Sequence, residues 1–578
     1  MPGLQAVVSG AILSDYQRLR VEAVAASLGL VSLAPLWRRN QASLLREMAA
    51  GGLAAVLVKV AALGLAPEEH LGAALADVTP HLCALERRFG CHAAGEGGEF
   101  ETLTLDAPFF TAGRLVLDET RVVKEDGASG VGHLQVLQWH VEPKGTEMPQ
   151  AVMWRADGAP PLPPQAPAPP SHLDVAEAEK AASLDVSRGS TAWQLSSQPF
   201  AGACGGQAGP QLRACMTCVG GALADAGLKW SDALIVTLLL RDMADFGAAN
   251  AAYIAVVPQA APPARACVGA PLPAGITCAL HVLSRSPGAV QAVSSQQART
   301  SLHVQSISAW APACIGPYSQ GVRADGLVHL AGCLGLDPSA MTLAAPAGSP
   351  CATAEAAAAA VAATAVAAVL SAPLRRAAAA ATLFATSPEA MAALRTAWQA
   401  CLCGAQPYRR GFEPDGQPET VPEDVSEPVS EDAWASDWQP LLTCLLVPAL
   451  PRGALCELQP LCFAIADDPV PCGSDDAVWQ PGRSLRAHAT GTPAAALAQL
   501  GAALERAELS WAAVASLRLF VCPGSDDAAL RAAWTAALAG VAAGLVPACV
   551  PVLGWGSDAG NLAQEGALAE LTAWQVCD

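Results

Sequence analysis

Three carboxylates, Glu96, Glu99 and Glu101, surround a glycine pair in the segment GEGGEFETLTLDAP, residues 95–108. Glycine lets the backbone bend sharply and approach a ligand closely. Clustered carboxylates suit a metal ion, an amine or another cation. An acidic glycine turn ahead of an apolar strand is also an ordinary surface turn, so the neighbouring segments have to decide between the two interpretations.

The first segment upstream predicts a helix. Ser14 and Gln17 have the spacing of a capping box. Periodic apolar residues follow and predict one buried face, and Gly29 is a stop signal. The residues of that predicted face are Val21, Val24, Ala25 and Leu28.

A second helix and a strand are predicted next. Asn40 is a candidate N-cap, Leu44 and Met48 share one face, and a glycine pair at 51–52 ends the helix. The continuous apolar run at 54–65 predicts a strand that is covered on both faces. The alternation of strands and helices predicts an α/β layer with a parallel sheet.

Together these segments resemble the diphthine–ammonia ligases, which complete diphthamide synthesis and belong to the adenine-nucleotide alpha hydrolase (PP-loop) superfamily. The resemblance covers about residues 5–140. It rests on four motifs in the family's order, which are residues 10–18, residues 36–48 (LW, NQ and LLREM), residues 59–65 (KVAALGL) and residues 95–106.

The resemblance implies a reaction. The family makes an amide from ammonia and the carboxylate of diphthine, a modified histidine of translation elongation factor two that also carries a trimethylammonium group. ATP, usually with Mg²⁺, first adenylates the carboxylate, and AMP and pyrophosphate are released. Glu96 and Glu99 are the expected catalytic or substrate-site residues, with their acid and base roles left open. The expected substrate- or nucleotide-binding residues are Asp15, Arg18, Trp37, Asn40, Lys59, Gly95, Gly97, Gly98, Phe100 and Glu101.

The family's Gly-rich SGGKDS-type loop, which holds the ATP phosphates, does not occur in this sequence. The chain starts almost directly on AVVSGAIL, which resembles the middle of the family's domain. A parallel sheet without its first strands would leave an unpaired apolar edge, so we expect a truncated sequence rather than a true fragment.

A Pro-rich spacer at 157–173 separates this part from a repetitive one. Residues 226–253 align without a gap with residues 507–534, and residues 383–398 align with residues 519–534. The aromatic residues stay in register, as with Trp230 and Trp511. Three related α+β units are therefore predicted after the spacer.

The second of these units, at 311–322 and 327–343, resembles the RidA (YjgF) family of imine deaminases and ligand-binding trimers, as does 262–275 in the first. The resemblance implies a cleft between units, in which an arginine grips a carboxylate and a glutamate positions water. Arg265, Tyr318 and Ser319 match this cleft. In the first unit His281 holds the position of the glutamate. In the second unit Leu442 holds the position of the arginine and Gln459 that of the glutamate. We expect an intrachain pseudo-trimer that combines Arg265 with Tyr318.

The predicted fold is thus a partial, parallel-sheet α/β domain of the adenine-nucleotide alpha hydrolase type, followed by three α+β RidA-like units. The predicted boundaries are 1–150 for the ligase-like domain, 151–178 for the linker, 179–290 for the first unit, 303–463 for the second with an acidic disordered insert at 409–438, and 464–578 for a degenerate third unit.

The net charge of −19 and the pI of about 4.9 argue against direct nucleic-acid binding, which needs a basic face. The alanine-rich stretch 354–370 predicts a soluble helix rather than a membrane span, because it is short and contains Glu355. Among the 19 cysteines, Cys215 and Cys218 form a CxxC, but it lies inside a helix-like run with no second CxxC nearby, so no metal site is predicted. A cytoplasmic enzyme without a secretory signal is expected.

Three functions remain open from the sequence. The first is the ATP-dependent ligase. The second is a non-catalytic binding or scaffold protein that keeps the substrate-recognition half and the RidA-like array. The third is an imine deaminase, which the incomplete set of cleft residues in each unit argues against.

Overall fold

The structure is a computed structural model that describes residues 4–125, 130–144, 175–291, 298–314, 316–344, 351–403, 440–464, 472–474, 477–480, 484–490, 492–522, 527–539, 546, 548–556 and 567–574. The predicted Pro-rich spacer at 157–173 and the predicted acidic insert at 409–438 lie outside the described residues. The chain divides into two units, Met1–Leu162 with Ser306–Trp310, and Pro163–Gln305 with Ala311–Asp578.

The first unit begins with alternating strands and helices and ends with a long hairpin. Its elements are β1 Ala6–Val8, α1 Asp15–Ser27, β2 Val31–Leu33, α2 Gln41–Ala50, β3 Ala54–Val60, α3 Pro67–His70, α4 Leu75–Phe89, β4 Phe100–Asp106, β5 Gly113–Lys124 and β6 Gly132–Pro143.

The two predicted helix starts are confirmed. The Ser14 side chain accepts a hydrogen bond from the Gln17 backbone N–H, and Asn40 does the same for Ser43. Each cap satisfies a backbone donor that has no partner within its helix. These ends depend on residues three apart in the chain, which is why sequence reasoning located them.

The predicted parallel sheet is wrong for most of this unit. Among the described residues of this unit, β1 and β2 pair in parallel, and Leu33 of β2 makes a single parallel bridge with Ile307. Strand β3 instead lies in an antiparallel sheet of order β4-β3-β6-β5. The apolar run also leaves the strand after Val60, and Leu63 is exposed. A run of apolar residues predicts that a strand is buried, but it does not predict whether the strand pairs in parallel or antiparallel.

The predicted apolar face of α1 is only partly confirmed, since Ala25 is buried and Val21 is half-buried. Val24 and Leu28 are 59% and 66% exposed, whereas Arg18 and Glu22 are buried. Glu22 accepts hydrogen bonds from Arg18 and from the backbone N–H and hydroxyl of Ser306. A buried charge is tolerated when it is paired and hydrogen-bonded, and this network is what turns the polar side of α1 inward.

The second unit begins with α5 Val175–Ala178, β7 Ala182–Arg188, β8 Ala192–Pro199, α6 Ala208–Asp225, β9 Ala233–Leu240, α7 Phe246–Ile254, β10 Ala264–Gly269, β11 Cys278–Arg285 and α8 Pro287–Gln291. Their sheet has the order β10-β9-β11-β8-β7. Strands β9 and β10 are parallel, and β11 runs antiparallel between β9 and β8.

A second sheet and its helices follow. The strands are β12 Thr300–Leu302, β13 Gly321–Ala324, β14 Leu327–Leu330, β15 Cys333–Leu334, β16 Leu336–Asp337, β17 Thr342–Leu343, β18 Ala378–Ala385, β19 Leu441–Leu446 and β20 Cys456–Phe463. The helices are α9 Ala352–Val369, α10 Leu374–Ala377 and α11 Pro388–Leu402. Apart from the small β16–β17 pair, the path is β12-β13-β14-β20-β18-β19, with β15 on β20.

The last part of the chain has the strands β21 Cys472–Ser474, β22 Ala477–Gln480, β23 Ser484–Thr490, β24 Val514–Val521, β25 Ala548–Pro551, β26 Gly554–Gly556 and β27 Ala567–Trp574. Its helices are α12 Pro493–Arg506 and α13 Asp527–Leu538. All of these strands except β26 form the last sheet. Its order is β21-β22-β23-β27-β24-β25, and β26 crosses to pair with β19.

The three sheets repeat one topology. Each has a hairpin, a helix, a strand, a second helix, a strand parallel to the previous one, and a strand inserted antiparallel between hairpin and pair. One cluster of buried apolar residues takes members from all three sheets, including Leu234, Leu461 and Ala515. Burial of this apolar surface stabilises the contact between the sheets.

Helix α9 is long and apolar enough to cross a membrane by length and composition. In the structure it is a core helix of the second unit, with one face of alanines buried. Glu355 is buried on this helix, and its carboxylate accepts a hydrogen bond from the Leu455 backbone N–H at 2.7 Å. These contacts are those of a packed helix in a folded unit.

Candidate functional site

The loops that follow β1 and β2 lie side by side in the first unit, because the carboxyl ends of parallel strands meet at one edge of a sheet. The Arg38 backbone N–H donates to the Ile12 carbonyl at 2.7 Å and joins the two loops. In open α/β sheets, ligands bind outside this edge. Most predicted ligase residues therefore fall in one region, at the start of α1, in the loop before α2 and in the acidic turn.

Glu96 anchors the acidic turn to the start of α1. Its carboxylate accepts hydrogen bonds from the backbone N–H groups of Ile12 at 2.8 Å, Leu13 at 2.6 Å and Ser14 at 3.2 Å. Backbone donors and the helix dipole make such a helix start a good anion site. Glu96, predicted as catalytic, is thus engaged as an internal anion that holds the loop after β1.

Glu99 is differently placed. Its Oε1 accepts the His92 backbone N–H at 2.7 Å, while no donor among the described residues bonds its buried Oε2. A Cβ on Gly97 would lie 2.6 Å from Glu99 Oε1, so a larger residue there would make this carboxylate shift. Glu99 therefore has one buried carboxylate oxygen without a hydrogen-bond donor among the described residues.

The remaining glycines of the turn serve the backbone. Gly95 and Gly98 have φ values of +77° and +87°, which side-chain-bearing residues rarely adopt. Phe100 is 5% exposed and belongs to the core of the first unit. It therefore offers no open aromatic face, contrary to the sequence-based expectation.

Trp37 is a core residue and not an open platform. Its side chain is fully buried, and the guanidinium carbons of Arg18 and Arg38 lie 4.8 Å and 5.2 Å from its ring centroid. Cation–π contact with these groups uses the electron-rich ring. A trimethylammonium group would have to displace an arginine to reach it, so the expectation that Trp37 binds a cationic substrate is wrong for this conformation.

Of the other predicted residues, some lie near the start of α1 and the loop before α2, and others lie on the exposed surface of the sheet. Asp15 pairs with Arg18 at 2.8 Å and is 56% exposed, so its carboxylate faces solvent beside the start of α1. Asn40 is engaged as the cap of α2. Lys59 and Glu101 form an exposed pair at 3.2 Å on neighbouring strands, and exposed pairs of this kind contribute little.

The residues at the start of α1 and in the acidic turn do not form a binding site for a triphosphate. The helix start that would cradle a phosphate is filled by Glu96. Among the described residues, no group of three or more His, Cys, Asp or Glu side chains could hold a metal ion. The described residues of this region therefore provide no site for ATP and Mg²⁺, which the resemblance implies.

A second polar constellation lies in the second unit, around Arg265 of β10. Its guanidinium donates from Nη1 to Asn250 Oδ1 at 2.9 Å. The guanidinium carbon lies 4.7 Å from the Tyr253 ring and 5.1 Å from the Tyr318 ring. Arg265 and Tyr318, expected to share one cleft, thus lie in contact, although they come from different predicted units.

Glu457 of β20 also belongs to this constellation, and the sequence analysis missed it. Burial raises its pKa to about 8, while the nearby Arg265 guanidinium acts in the opposite direction. No donor among the described residues bonds its Oε2. A Cβ on Gly332 would clash with Glu457 Oε1, and the Gly332 N–H donates to the Arg265 carbonyl at 3.1 Å.

His281 and Gln459, which were expected at the position of the glutamate, do not lie beside Arg265. His281 is paired with Thr237, and Gln459 with Thr382, at equivalent places of two sheets. Both line a separate cavity. The sequence feature that could have identified this site is Glu457 itself, because it is the single charged residue of the strand CELQPLCF.

Ser319, the third expected cleft residue, makes a structural contact. It is fully buried, its hydroxyl donates to the Pro262 carbonyl at 2.7 Å, and its N–H donates to the Pro263 carbonyl at 3.0 Å. These bonds hold the segment before β13 against the segment before β10. Ser319 therefore positions Tyr318, its neighbour in the chain.

Comparisons with known proteins agree with both resemblances. Residues 40–135 match the family described as "Diphthamide synthase C-terminal domain", and residues 189–276 match "Endoribonuclease L-PSP". The chain is 34% identical over 365 residues to the diphthine–ammonia ligase of Schizosaccharomyces pombe, which covers 59% of this chain and 57% of that protein. It is 46% identical over 148 residues to the human diphthine–ammonia ligase, covering 25% and 55%.

The chain thus spans little more than half of the length of these relatives. Among solved structures, a RidA protein from an Antarctic Psychrobacter matches at 23% identity with a TM-score of 0.19, covering 27% of this chain and 94% of that protein. The resemblance to diphthine–ammonia ligase with RidA-like sequence is established by the sequence relatives and the two family matches.

Proposed function

We propose that this chain takes part in the last step of diphthamide synthesis, the ATP-dependent amidation of the diphthine carboxylate on elongation factor two. The single observation that supports this most strongly is the acidic turn. It lies at the carboxyl edge of the β1–β2 pair, and it presents the Glu99 carboxylate with one oxygen that no described donor bonds. The match to the family described as "Diphthamide synthase C-terminal domain", at residues 40–135, includes this turn.

In this proposal the residues of the first unit act on the diphthine side. Asp15 and Glu99 supply negative charge for the trimethylammonium group of diphthine or for ammonium before it loses a proton. Opposite charges attract strongly where water is partly excluded. Glu96 holds the loop and the start of α1 in place, and it does not meet the substrate. ATP supplies the activation of the carboxylate, with no step assigned to residues of this chain.

The test uses the purified chain with diphthine-bearing elongation factor two, ATP, Mg²⁺ and ammonium. Mass spectrometry of the modified histidine peptide should report conversion of the acid to the amide. Glu99→Gln should lower the rate by about tenfold or more, because a charge-assisted contact is lost. The matched control is Glu101→Gln, which changes an exposed carboxylate of the same turn and should leave the rate unchanged.

Two other outcomes separate the alternatives. Binding of the diphthine-bearing factor without any amide would favour the scaffold interpretation, particularly if Glu99→Gln abolishes that binding. Absence of both binding and turnover would reject the proposal. The proposed site of action is the cytoplasm, where the elongation factor works.

We also propose that the three sheets of the second unit form an intrachain pseudo-trimer, whose cleft at Arg265 binds a small carboxylate. The common strand order and the shared apolar cluster support the arrangement. Arg265, Tyr318 and Glu457 support the ligand, because a guanidinium recognises a carboxylate and a raised pKa suits a carboxyl for proton transfer.

Glu457 also supports testing for imine deaminase activity, because the argument against that activity was the absence of a glutamate in the cleft. A 2-imino acid should be hydrolysed to the 2-oxo acid and ammonia if that activity is present, and Glu457→Gln should abolish the ammonia release. Carboxylate binding that persists without hydrolysis would identify the cleft as a binding site only. Loss of binding in Arg265→Met, with folding intact, is expected in either case.

A further inference from the structure

A cavity lies where the three sheets of the second unit meet. Its volume is about 70 Å³, and each sheet contributes polar side chains to its wall. His281 comes from the first sheet, His329 and Gln459 from the second, and Arg486 and Arg518 from the third. None of these five residues belongs to the Arg265 cleft described above.

Two donors in this wall have no acceptor among the described residues. They are Gln459 Nε2 and Arg486 Nε, on side chains that are only 5% and 6% exposed. A buried donor without an acceptor is costly, and such groups in folded proteins are usually satisfied by an unseen partner. Both residues line the same cavity, so one ligand can serve both donors.

The charges of the wall favour an anion. Glu570 is the carboxylate that pairs with both guanidinium groups, since it accepts from Arg518 Nε at 2.8 Å and from Arg486 Nη2. It is also hydrogen-bonded by Thr443. Among the described residues, one carboxylate therefore balances two guanidinium groups, and one positive charge is left over.

The imidazole of His329 does not compensate this charge. Burial, together with Arg486 and Arg518, lowers its pKa to about 3, so it is neutral at neutral pH. A neutral imidazole can still donate one hydrogen bond. The wall thus combines donors with an excess of positive charge, and uncompensated buried charge is unfavourable.

We propose that this central cavity binds a small oxyanion of the carboxylate, phosphate or sulfate class, held by Gln459 and Arg486 with Arg518 nearby. The volume sets the size, because each water molecule occupies about 30 Å³ in the liquid and the cavity therefore suits a ligand of only a few heavy atoms. The inference is independent of the ligase proposal and of the carboxylate cleft.

Isothermal titration calorimetry of the full chain tests this, with sodium phosphate, sulfate and acetate as probes and chloride at matched ionic strength as reference. At least one probe should bind saturably. Gln459→Leu, which keeps the size of the side chain but removes the donors, should weaken that binding by about tenfold or more, as expected for the loss of a hydrogen bond to a charged group.

Two controls make the result specific. Gln399→Leu makes the same change on the exposed side of α11 and should leave binding unchanged. Arg265→Met removes the guanidinium of the other cleft, which is proposed to bind a carboxylate, so it can change the acetate signal only and should leave the binding of phosphate and sulfate unchanged. Circular dichroism checks that Gln459→Leu is folded, and anomalous diffraction from a bromide- or iodide-soaked crystal locates the anion without any variant.

The proposal is overturned if no probe binds more tightly than chloride and no halide occupies the cavity. It is also overturned if Arg265→Met abolishes the binding while Gln459→Leu does not, since the anion would then occupy the cleft. Ordered waters that fill the cavity at high phosphate would likewise refute it.

Discussion

The Glu96 carboxylate lies 2.6 Å from the backbone nitrogen of Leu13, across 83 residues of sequence. The acidic turn and the start of α1 are therefore one structural piece. The carboxylate occupies the place at the helix start where an external anion would otherwise bind. Its charge stabilises the loop that follows β1, and this determines where the neighbouring Glu99 and Asp15 carboxylates face.

Glu96→Gln should therefore loosen the start of α1. The amide is a weaker acceptor and loses the favourable interaction with the helix dipole, so we expect a loss of about 1–2 kcal/mol in the free energy of unfolding. Urea unfolding measures the loss, and hydrogen–deuterium exchange should show faster exchange at residues 12–14. Glu101→Gln is the matched control, and equal exchange in both variants would contradict the anchoring role.

The stability of the second unit should depend on pH through Glu457. Its folded pKa is raised from 4.5 to about 8 by burial, so the folded state holds this proton more tightly than the unfolded state. The associated stabilisation is fully present below pH 4.5 and is lost as pH rises towards 8, by at most about 1.4 kcal/mol per pH unit.

Glu457→Gln should remove this component of the pH dependence. Thermal unfolding between pH 5 and pH 9 should show a variant that gains stability relative to the parent chain as the pH rises. A constant difference between the two proteins over this range would mean that Glu457 does not titrate there.

Gly332→Ala should disturb the Arg265 cleft, because the new Cβ clashes with the Glu457 carboxylate. Overpacking of a buried site typically costs about 1–3 kcal/mol. Chemical denaturation should detect the loss. Gly247→Ala is the control, since nothing lies within 4 Å of a Cβ at that position in α7. A helical glycine replaced by alanine should be neutral or stabilising by up to about 1 kcal/mol.

Glu570→Gln should be among the most harmful changes in the second unit. It leaves Arg486 and Arg518 buried or partly buried without their carboxylate. Removing one partner of a buried ion pair costs about 3–5 kcal/mol. Soluble expression and the midpoint of thermal unfolding should both fall, whereas Glu505→Gln on the exposed side of α12 should change neither. Equal midpoints would mean that the guanidinium groups find other acceptors.

The sequence by itself determined the local features of this protein. The caps at Ser14 and Asn40 and the glycine requirement of the acidic turn depend on residues a few positions apart, and local backbone geometry decides them. The two family resemblances were also readable from motifs, and the motifs at 59–65 and 95–106 and the segment 262–275 lie within the ranges that the family models match.

Only the tertiary structure decided which polar groups are engaged. Glu22 is buried because Ser306 reaches it from 284 residues away, and Glu96 is an anchor because α1 begins beside it. Glu457 of β20 lies near Arg265 of β10 because the two sheets that contain these strands pack together. Hydrogen bonds and charge pairs act over a few ångströms in space, whatever the separation along the chain, so the free or occupied state of a carboxylate is a property of the folded molecule.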